Sequence, residues 1–553
     1  WRPVGAFEYG YVVEDPLHLG LFYGGKIEKY SDSTGQTQEV SPIVLPSKKY
    51  RTVRTLPLAF DNFDRRRLYF GANVIFASDD GGSSWQQISD DLTREHYAIP
   101  GVIAAFESAD PQHGAHRGVV YALAPSYKHA GTIWAGTDDG LVWITRDGGK
   151  HWHDVTPPQL TPWSKVAQID ASRLDDDTAF VAVTRFRLDD LHPYVYVTHD
   201  GGAHWSLRVN GLPNEPVNAV RQDPDAPELL YAATENGVYV SFDEGANWQS
   251  LQLDLPHTSV RDLIVHGDDV VVATHGRAFW VLDDVASLRQ SADAAAAGGT
   301  YLFAPAAAYR VRTGNEEGTP LPLDEPQAKN PERGVYVDYY LGDAPATPVV
   351  LSVYDASGAL VRRWSSAEPS KPVDPKTVDF TPYWIPAHPV PAATAGAHRF
   401  VWDFHQGTPR GPLVPPGRYT ITLSAGGRSY SRTATILRDP RVPVTDADLI
   451  AQYVLARKIE SLRAEVEAAR KRAQAAGNAA VAGSEPADNP DDSVGAYSND
   501  LSSLLYVGNS LDNLGAAVES ADAAPTPTMY DAYRKLELLY RRAAAHVTAA
   551  KHQ

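Results

Sequence analysis

The sequence predicts a mainly β chain: a β-propeller of six blades, or seven with an upstream segment, followed by an immunoglobulin-like β-sandwich and a small helical domain. Three observations carry that reading. A short phrase recurs four times in the first half of the chain. Strand-like runs recur around it with a spacing of roughly 40 to 50 residues, the size of a propeller blade. Past residue 443 the apolar spacing changes from alternation to a 3.6-residue period.

The phrase is Ser/Thr, any residue, Asp, any residue, Gly, two more residues, Trp. Its four copies hold Ser78, Asp80, Gly82 and Trp85; Thr145, Asp147, Gly149 and Trp152; Thr198, Asp200, Gly202 and Trp205; and Ser241, Asp243, Gly245 and Trp248. The hydroxyl and the carboxylate can satisfy the free N–H groups of a tight turn. The glycine supplies a positive φ without steric cost. The tryptophan returns the chain to a strand and buries a large ring beneath the turn. These aspartates are read first as turn-makers, since Asp-Gly turns between strands are a common hairpin signal.

In chain order, each copy closes a unit of short strands. The second strands align as Gly20–Gly25, Leu68–Asn73, Thr132–Thr137, Ala179–Thr184, Leu230–Thr234 and Val270–Thr274. Each is a short apolar run rich in β-branched and aromatic residues, as a strand buried on both faces should be. Blades are expected at 5–45, 54–92, 117–157, 164–212, 216–255 and 259–285. The first and last lack a good copy of the phrase, which suits the place where a ring closes. The stretch from Trp1 to Gly5 reads as the inner edge of a blade. An upstream half of the same protein, or a partner chain, is therefore expected to complete the propeller, because a free edge invites aggregation.

Two blades carry long insertions. One, Thr93 to Gly118, holds Glu95, His96, Glu107, Asp110, His113 and His116. The other, Thr184 to Tyr194, holds Arg185, Arg187, Asp189, Asp190 and His192. Loops on a rigid scaffold usually carry function, so these are candidate recognition surfaces. The spacing of His96, His113 and His116 matches no closed metal site, and no metal or other cofactor is expected.

Residues 1–285 are thus the propeller, and the Ala/Gly/Ser-rich 286–299 reads as a linker. Residues 300–442 keep strand-like runs without the repeat and read as an immunoglobulin- or fibronectin-like sandwich. Residues 443–553 read as a helical bundle with a flexible loop at 477–499. Leu455, Ile459, Leu462, Val466 and Ala469 share one helix face, and Thr445 with Asp448 makes a cap. Two further apolar stripes begin at Leu501 and Met529.

Composition bounds the function. The net charge of −18 disfavours binding to nucleic acid or an anionic membrane surface. No apolar run is long enough to span a bilayer. The absence of cysteine excludes a disulfide scaffold, a thiolate metal site and a cysteine nucleophile. It also fits a bacterial extracytoplasmic protein.

The recurrent phrase resembles the Asp box of BNR-repeat proteins, a family that includes sialidases, sortilin-type receptors and xyloglucan-cleaving glycosidases. The resemblance implies a propeller with the box between the outer strands of each blade. The run from Ala273 to Asp284 (ATHGRAFWVLDD) resembles a signature of large bacterial proteins labelled glycosyl hydrolase or sortilin-like. That resemblance covers about residues 1–440 and implies a chain about twice as long, with further blades upstream. It makes His275 and Arg277 candidate binding residues beside Arg185 and Arg187. The sialidase phrase Phe/Tyr-Arg-Ile-Pro is absent. A glycosidase needs two carboxylates across a cleft, and the candidates are Asp64, Glu107 and Asp189, from a set that also holds Asp61, Asp110 and Asp190. The chain is accordingly expected to be an extracytoplasmic, non-catalytic binding or scaffolding protein holding a peptide, a glycan or a partner subunit. The alternative is a xyloglucanase-like glycoside hydrolase that works with an upstream second propeller.

Overall fold

The computed structural model describes residues 4, 10–45, 47–96, 99–101, 117–312, 330–368, 374–379, 381, 384, 389–409, 411–475 and 500–549. The chain divides into two compact units, Trp1–Arg289 and Gln290–Gln553.

The first unit is a run of small antiparallel meanders, and among the described residues there are six. Sheet 1 holds β1 (Val12–Glu14), β2 (Leu21–Gly24), β3 (Glu28–Ser31) and β4 (Gln36–Glu39). Sheet 2 holds β5 (Leu58–Phe60), β6 (Leu68–Gly71), β7 (Ile75–Ser78) and β8 (Gln86–Gln87). Sheet 3 holds β9 (Val120–Pro125), β10 (Ile133–Thr137), β11 (Val142–Thr145) and β12 (His153–Asp154). Sheet 4 holds β13 (Lys165–Ala171), β14 (Ala179–Thr184), β15 (Val195–Thr198) and β16 (Ser206–Leu207). Sheet 5 holds β17 (Val217–Gln222), β18 (Leu230–Thr234), β19 (Val238–Ser241) and β20 (Gln249–Ser250). Sheet 6 holds β21 (Val260–His266), β22 (Asp269–Thr274) and β23 (Phe279–Leu282).

Neighbouring sheets face one another, and their first strands run in the same direction. The Gln168 and Asp170 side chains accept from the backbone N–H groups of Val220 and Gln222, two residues on in each case. Asn218 and Arg221 donate to the carbonyls of Val260 and Leu263. The pairing of first and second strands slips at Tyr121, Ala167, Asn218 and Arg261, one bulge at the same place in each of sheets 3 to 6. A bulge re-aims its side chain and tightens the twist. Side-by-side meanders with parallel first strands and a shared inner bulge make a β-propeller.

The recurrent turn joins each sheet to the one before it. Ser78 Oγ accepts from Gly82 N at 2.9 Å and donates to Asp80, which accepts from Ser84 N at 2.9 Å. The other three copies repeat this scheme. The tryptophan does more than fill space beneath its own turn. Its indole N–H donates to the residue just past the outermost strand of the preceding sheet: Trp85 to Val40, Trp152 to Ile88, Trp205 to Val155 and Trp248 to Arg208, at 2.7 to 3.0 Å. The glycine at positive φ lies against the same residue. A Cβ on Gly149 would come within 2.6 Å of the Ile88 carbonyl oxygen, and one on Gly202 within 2.6 Å of Val155.

The stretch 286–299, read as a linker, is largely helical: α1 (Ala286–Arg289) and α2 (Ser291–Ala297). Composition and tertiary packing both account for this. Alanine favours helix, Val285 is buried, and Leu288 packs on the core of sheets 5 and 6.

The second unit opens with two β-sheets around one core. One is ordered β24 (Tyr301–Leu302), β26 (Val335–Leu341), β29 (Gly396–Trp402). The other is ordered β25 (Ala308–Arg310), β31 (Arg428–Arg438), β30 (Gly417–Ala425), β27 (Val350–Tyr354), β28 (Leu360–Ser365). Alternate residues of both enter one buried cluster, with Trp364, Trp402, Phe400 and Tyr419 at its centre. Three helices follow: α3 (Asp446–Ala475), α4 (Asp500–Val518) and α5 (Pro527–Ala549). Thr445 and Asp448 cap α3 reciprocally. Leu455, Ile459, Leu462 and Val466 meet Leu504, Leu511 and Leu536 in the bundle core. The loop expected at 477–499 lies outside the described residues. Among the described residues no helix is long and apolar enough to cross a membrane.

Candidate functional site

The meanders give the propeller two rims. One carries the Asp turns and the turns between first and second strands. The other carries the turns between second and third strands and the links from sheet to sheet. The binding candidates Arg185, Arg187, His275 and Arg277 all belong to this second, loop rim, since they lie between β14 and β15 or between β22 and β23. So does Asp189.

The insertion of sheet 4 is built as a closed cluster. Arg185 pairs with Asp190 at 2.9 Å and lies over the Tyr194 ring at 5.3 Å. Asp190 also accepts from Tyr194 Oη at 2.8 Å and meets His192 Nδ1 at 2.8 Å. Burial pushes the Asp190 carboxyl up, but the hydrogen bonds from His192 and Tyr194 and the Arg185 charge outweigh it and hold it below the usual range. Arg187 leaves the cluster and donates to the carboxylate and carbonyl of Asp138, in the turn of sheet 3. Asp189 takes a left-handed φ of 53° as the cap of a single helical turn at Phe186–Leu188. Of the four binding candidates, Arg185 and Arg187 are therefore tied into the scaffold.

His275 and Arg277 are exposed. Their backbones are fixed: His275 N donates to Ser259 O, and Arg277 N to Thr274 Oγ1. Among the described residues neither side chain makes a hydrogen bond or ion pair. Around them stand His257, which meets the Asn236 carbonyl at 3.3 Å, and Arg261, which pairs with Glu235 at 3.1 Å. Asn218 donates to the same Glu235 oxygen. Sheets 5 and 6 thus place several cationic or titratable side chains on the loop rim of an acidic protein.

Among the described candidate acids, Asp64 and Asp189 do not converge. Asp64 lies between β5 and β6, on the Asp-turn rim, where Arg66 holds its carboxyl below the usual range through a direct hydrogen bond. Asp189 lies on the opposite rim. Glu107, with Asp110, His113 and His116, lies outside the described residues. Asp61 is a turn-maker that accepts from the N–H groups of Phe63 and Asp64 and from Tyr69 Oη.

A polar cluster that the sequence reading did not single out lies where the first strands meet. Arg221 on β17 reaches Asp170 on β13 at 3.3 Å and Asp262 on β21 at 3.2 Å. Burial works against the Arg221 charge, and Asp262 and Asp170 outweigh it. Burial pushes the Asp170 carboxyl up against the pull of Arg221. Tyr11, ahead of β1, has its phenol pushed up first by burial, then by Asp262, and also feels Arg221 and Tyr121. Side chains from sheets 1, 3, 4, 5 and 6 therefore share one axial neighbourhood. Lys165 caps it, 3.7 Å from the Tyr121 ring centre. The signal in the sequence was faint: Asp170 in KVAQIDA and Arg221 in VNAVRQ are charges set inside inner strands that also carry other polar residues.

Outside the ring, a groove of about 910 Å³ opens between sheets 2 and 3. Its walls include Trp85, Trp143, Trp152, Asp79, Asp80 and Asp147. Asp79 is paired with Arg67 at 2.7 Å, and the other two aspartates are spent in their turns.

No protein-family model matches the chain, and no curated protein does. Among solved structures, the chain is similar to an ancestral GH74 enzyme at 14% identity and a TM-score of 0.35, over 67% of this chain and 40% of that one. It is similar to the GH74 xyloglucanase from Xanthomonas campestris at 14% identity and a TM-score of 0.29, over 51% of this chain and 52% of that one. The extracellular domain of a hybrid two-component system from B. thetaiotaomicron aligns at 11% identity and a TM-score of 0.32, over 78% of this chain and 50% of that one. The chain thus spans about half or less of each of these proteins. At these values the likeness does not reach activity, substrate or site residues.

Proposed function

We propose that this chain is a non-catalytic binding scaffold, an Asp-box propeller whose loop rim at sheets 5 and 6 holds an extended peptide or glycan through His275 and Arg277. The disposition of charge supports this reading. Asp64 and Asp189 sit on opposite rims, and the axial acids Asp170 and Asp262 are bridged by Arg221. His275 and Arg277 are exposed beside Arg261 and His257. A guanidinium with its fork exposed is suited to a carboxylate, so acidic peptides and uronic-acid glycans are the favoured ligands. The extracytoplasmic location, the immunoglobulin-like type of the sandwich and the completion of the ring by a further segment belong to the same reading. The Tyr419 hydroxyl bonded back to the Pro415 carbonyl at 2.8 Å supports the sandwich type.

The test is binding to peptide and glycan arrays, followed by titration of the best ligand. The Arg277→Ala variant should bind at least about tenfold more weakly, the loss of one charge-assisted hydrogen bond. Unchanged affinity in both Arg277→Ala and His275→Ala refutes the rim as the site.

A glycoside hydrolase reading is favoured by one observation, the outer groove with its three tryptophans and five aspartates. Turnover of any oligosaccharide, lost in Asp64→Asn, Glu107→Gln, Asp189→Asn or Asp79→Asn, would replace the binding reading.

A further inference from the structure

In the second unit a buried polar cluster holds more donors than acceptors. Strand alternation sets it up. On β25 Tyr309 faces out at 52% exposure, while Arg310 points inward at 2%. Arg310 Nη2 lies 3.1 Å from Gln452 Oε1 on α3 and 3.2 Å from Asp522 Oδ1, in the turn between α4 and α5. Two residues on, Arg312 donates from Nε to the same Asp522 oxygen at 2.6 Å and from Nη1 to the Glu519 carbonyl just past α4. Two guanidinium groups thus share one carboxylate, itself 4% exposed. Three of their nitrogens, Arg310 Nε and Nη1 and Arg312 Nη2, are buried and meet no acceptor among the described residues.

The surrounding groups do not make up the difference. Gln452 spends its amide N–H on the carbonyls of Val518 and Ala521. Glu519 turns its carboxylate to Leu413 N at 2.8 Å. The Tyr419 hydroxyl donates to the Pro415 carbonyl. Burial acts against the Arg310 charge; Asp522 offsets this, and the repulsion of Arg312 outranks the pull of Glu519. The end of α4 adds only about half an elementary negative charge. Arginine has no acceptor atom and keeps its proton in a protein. Titration therefore cannot relieve the imbalance, and a buried charge needs a partner of opposite sign. We propose that Arg310 and Arg312 hold a small monovalent anion of chloride size, which takes hydrogen bonds from their unpartnered nitrogens. Charge selects it: two cations against Asp522 leave one positive charge, and the Asp522 carboxylate repels a dianion such as sulfate. Burial keeps it small, and the open side is Arg312, at 27% exposure. The anion ties β25 of the sandwich to the turn between α4 and α5, and so stabilises the second unit independently of the propeller rim.

The test is calorimetry of the 553-residue chain in potassium chloride and in potassium gluconate at equal ionic strength, with the chloride NMR line width as a direct reading of binding. The unfolding temperature should climb with the logarithm of chloride concentration, as for any ligand that binds only the folded state, and the chloride line should broaden. Arg312→Met keeps the packing of the stem and removes the donors. It should weaken chloride binding at least about tenfold, the loss of one charge-assisted hydrogen bond. Arg418→Gln, an exposed change of the same charge on β30, should leave the chloride dependence as in wild type. A wild-type chain indifferent to chloride overturns the proposal, because water then serves these nitrogens. So does a chloride dependence that survives in Arg312→Met or falls equally in Arg418→Gln, which marks a general salt effect. Should Arg312→Met not fold, wild-type crystals grown in bromide decide: an anomalous peak beside Arg310 and Arg312 supports the site, and none at saturating bromide overturns it.

Discussion

Replacing Trp248 tests how the ring is held. Of the four tryptophans of the Asp turns it is the most buried, at 4% exposure. Its indole N–H donates to Arg208 O at 3.0 Å, and its backbone N–H to Asn210 O at 2.8 Å. Its ring packs with Val217, Val220, Val195 and Val197, between sheets 4 and 5. Trp248→Ala removes the ring and leaves a cavity, at a cost of about 3–5 kcal/mol. Trp248→Phe keeps most of the apolar bulk but leaves the Arg208 carbonyl without its donor, at about 1–3 kcal/mol. With a urea slope of about 3 kcal/mol/M for a unit of this size, the midpoints should fall by about 1–1.7 M and 0.3–1 M. Far-ultraviolet circular dichroism during urea unfolding reads both. A Trp248→Phe midpoint equal to wild type, or a Trp248→Ala loss below about 1 kcal/mol, would refute the claim that the indole joins one sheet to the next.

Other consequences concern charge. In the second unit Arg310 and Arg312 converge on Asp522 at 3.2 and 2.6 Å, and Arg310 is only 2% exposed. Asp522→Asn strands two guanidinium groups and should cost about 3–5 kcal/mol, read by calorimetry. The pair Arg310→Met with Asp522→Leu should cost clearly less than Asp522→Asn alone. On the Asp-turn rim, the backbone N–H and then the ring of His204 lower the Asp200 carboxyl to about 2 from an ordinary 3.8. A folded-state value below the unfolded one stabilises above the unfolded pKa, and that contribution fades as pH falls from about 4 through 2. Asp147, held low by His151, behaves in the same direction. Asp200→Asn should therefore flatten the loss of stability in acid urea titrations, and an unchanged acid slope would count against it.

The Asp turns were legible because every group in them acts within a few residues. The hydroxyl, the carboxylate, the glycine and the N–H groups they serve span Ser78 to Ser84. The partner of the tryptophan was not legible, since Trp152 and Ile88 are 64 residues apart. The same holds at the axis, where Arg221 finds its acids 41 and 51 residues away. Strand-like runs marked residues 300–442 as β, but β25 is three residues long and pairs in parallel with β31, so no local pattern marked it. The helices were readable to within a few residues because α3 carries its own cap and a long apolar stripe. The helices within 286–299 were not legible: the alanines read as spacer, while the packing of Leu288 on sheets 5 and 6 is a contact that only the folded sheets provide.

The binding reading depends most on the acids being apart. A cysteine-free chain allows that to be measured with spin labels on Arg65→Cys and Leu191→Cys, exposed neighbours of Asp64 and Asp189. Strands of four to six residues separate the rims by about 15–20 Å, and the two sheets add lateral distance. The double-labelled chain should give a distance above about 20 Å. A distance below about 12 Å would bring the carboxylates within the roughly 5–9.5 Å that paired glycosidase acids need, and would contradict the account.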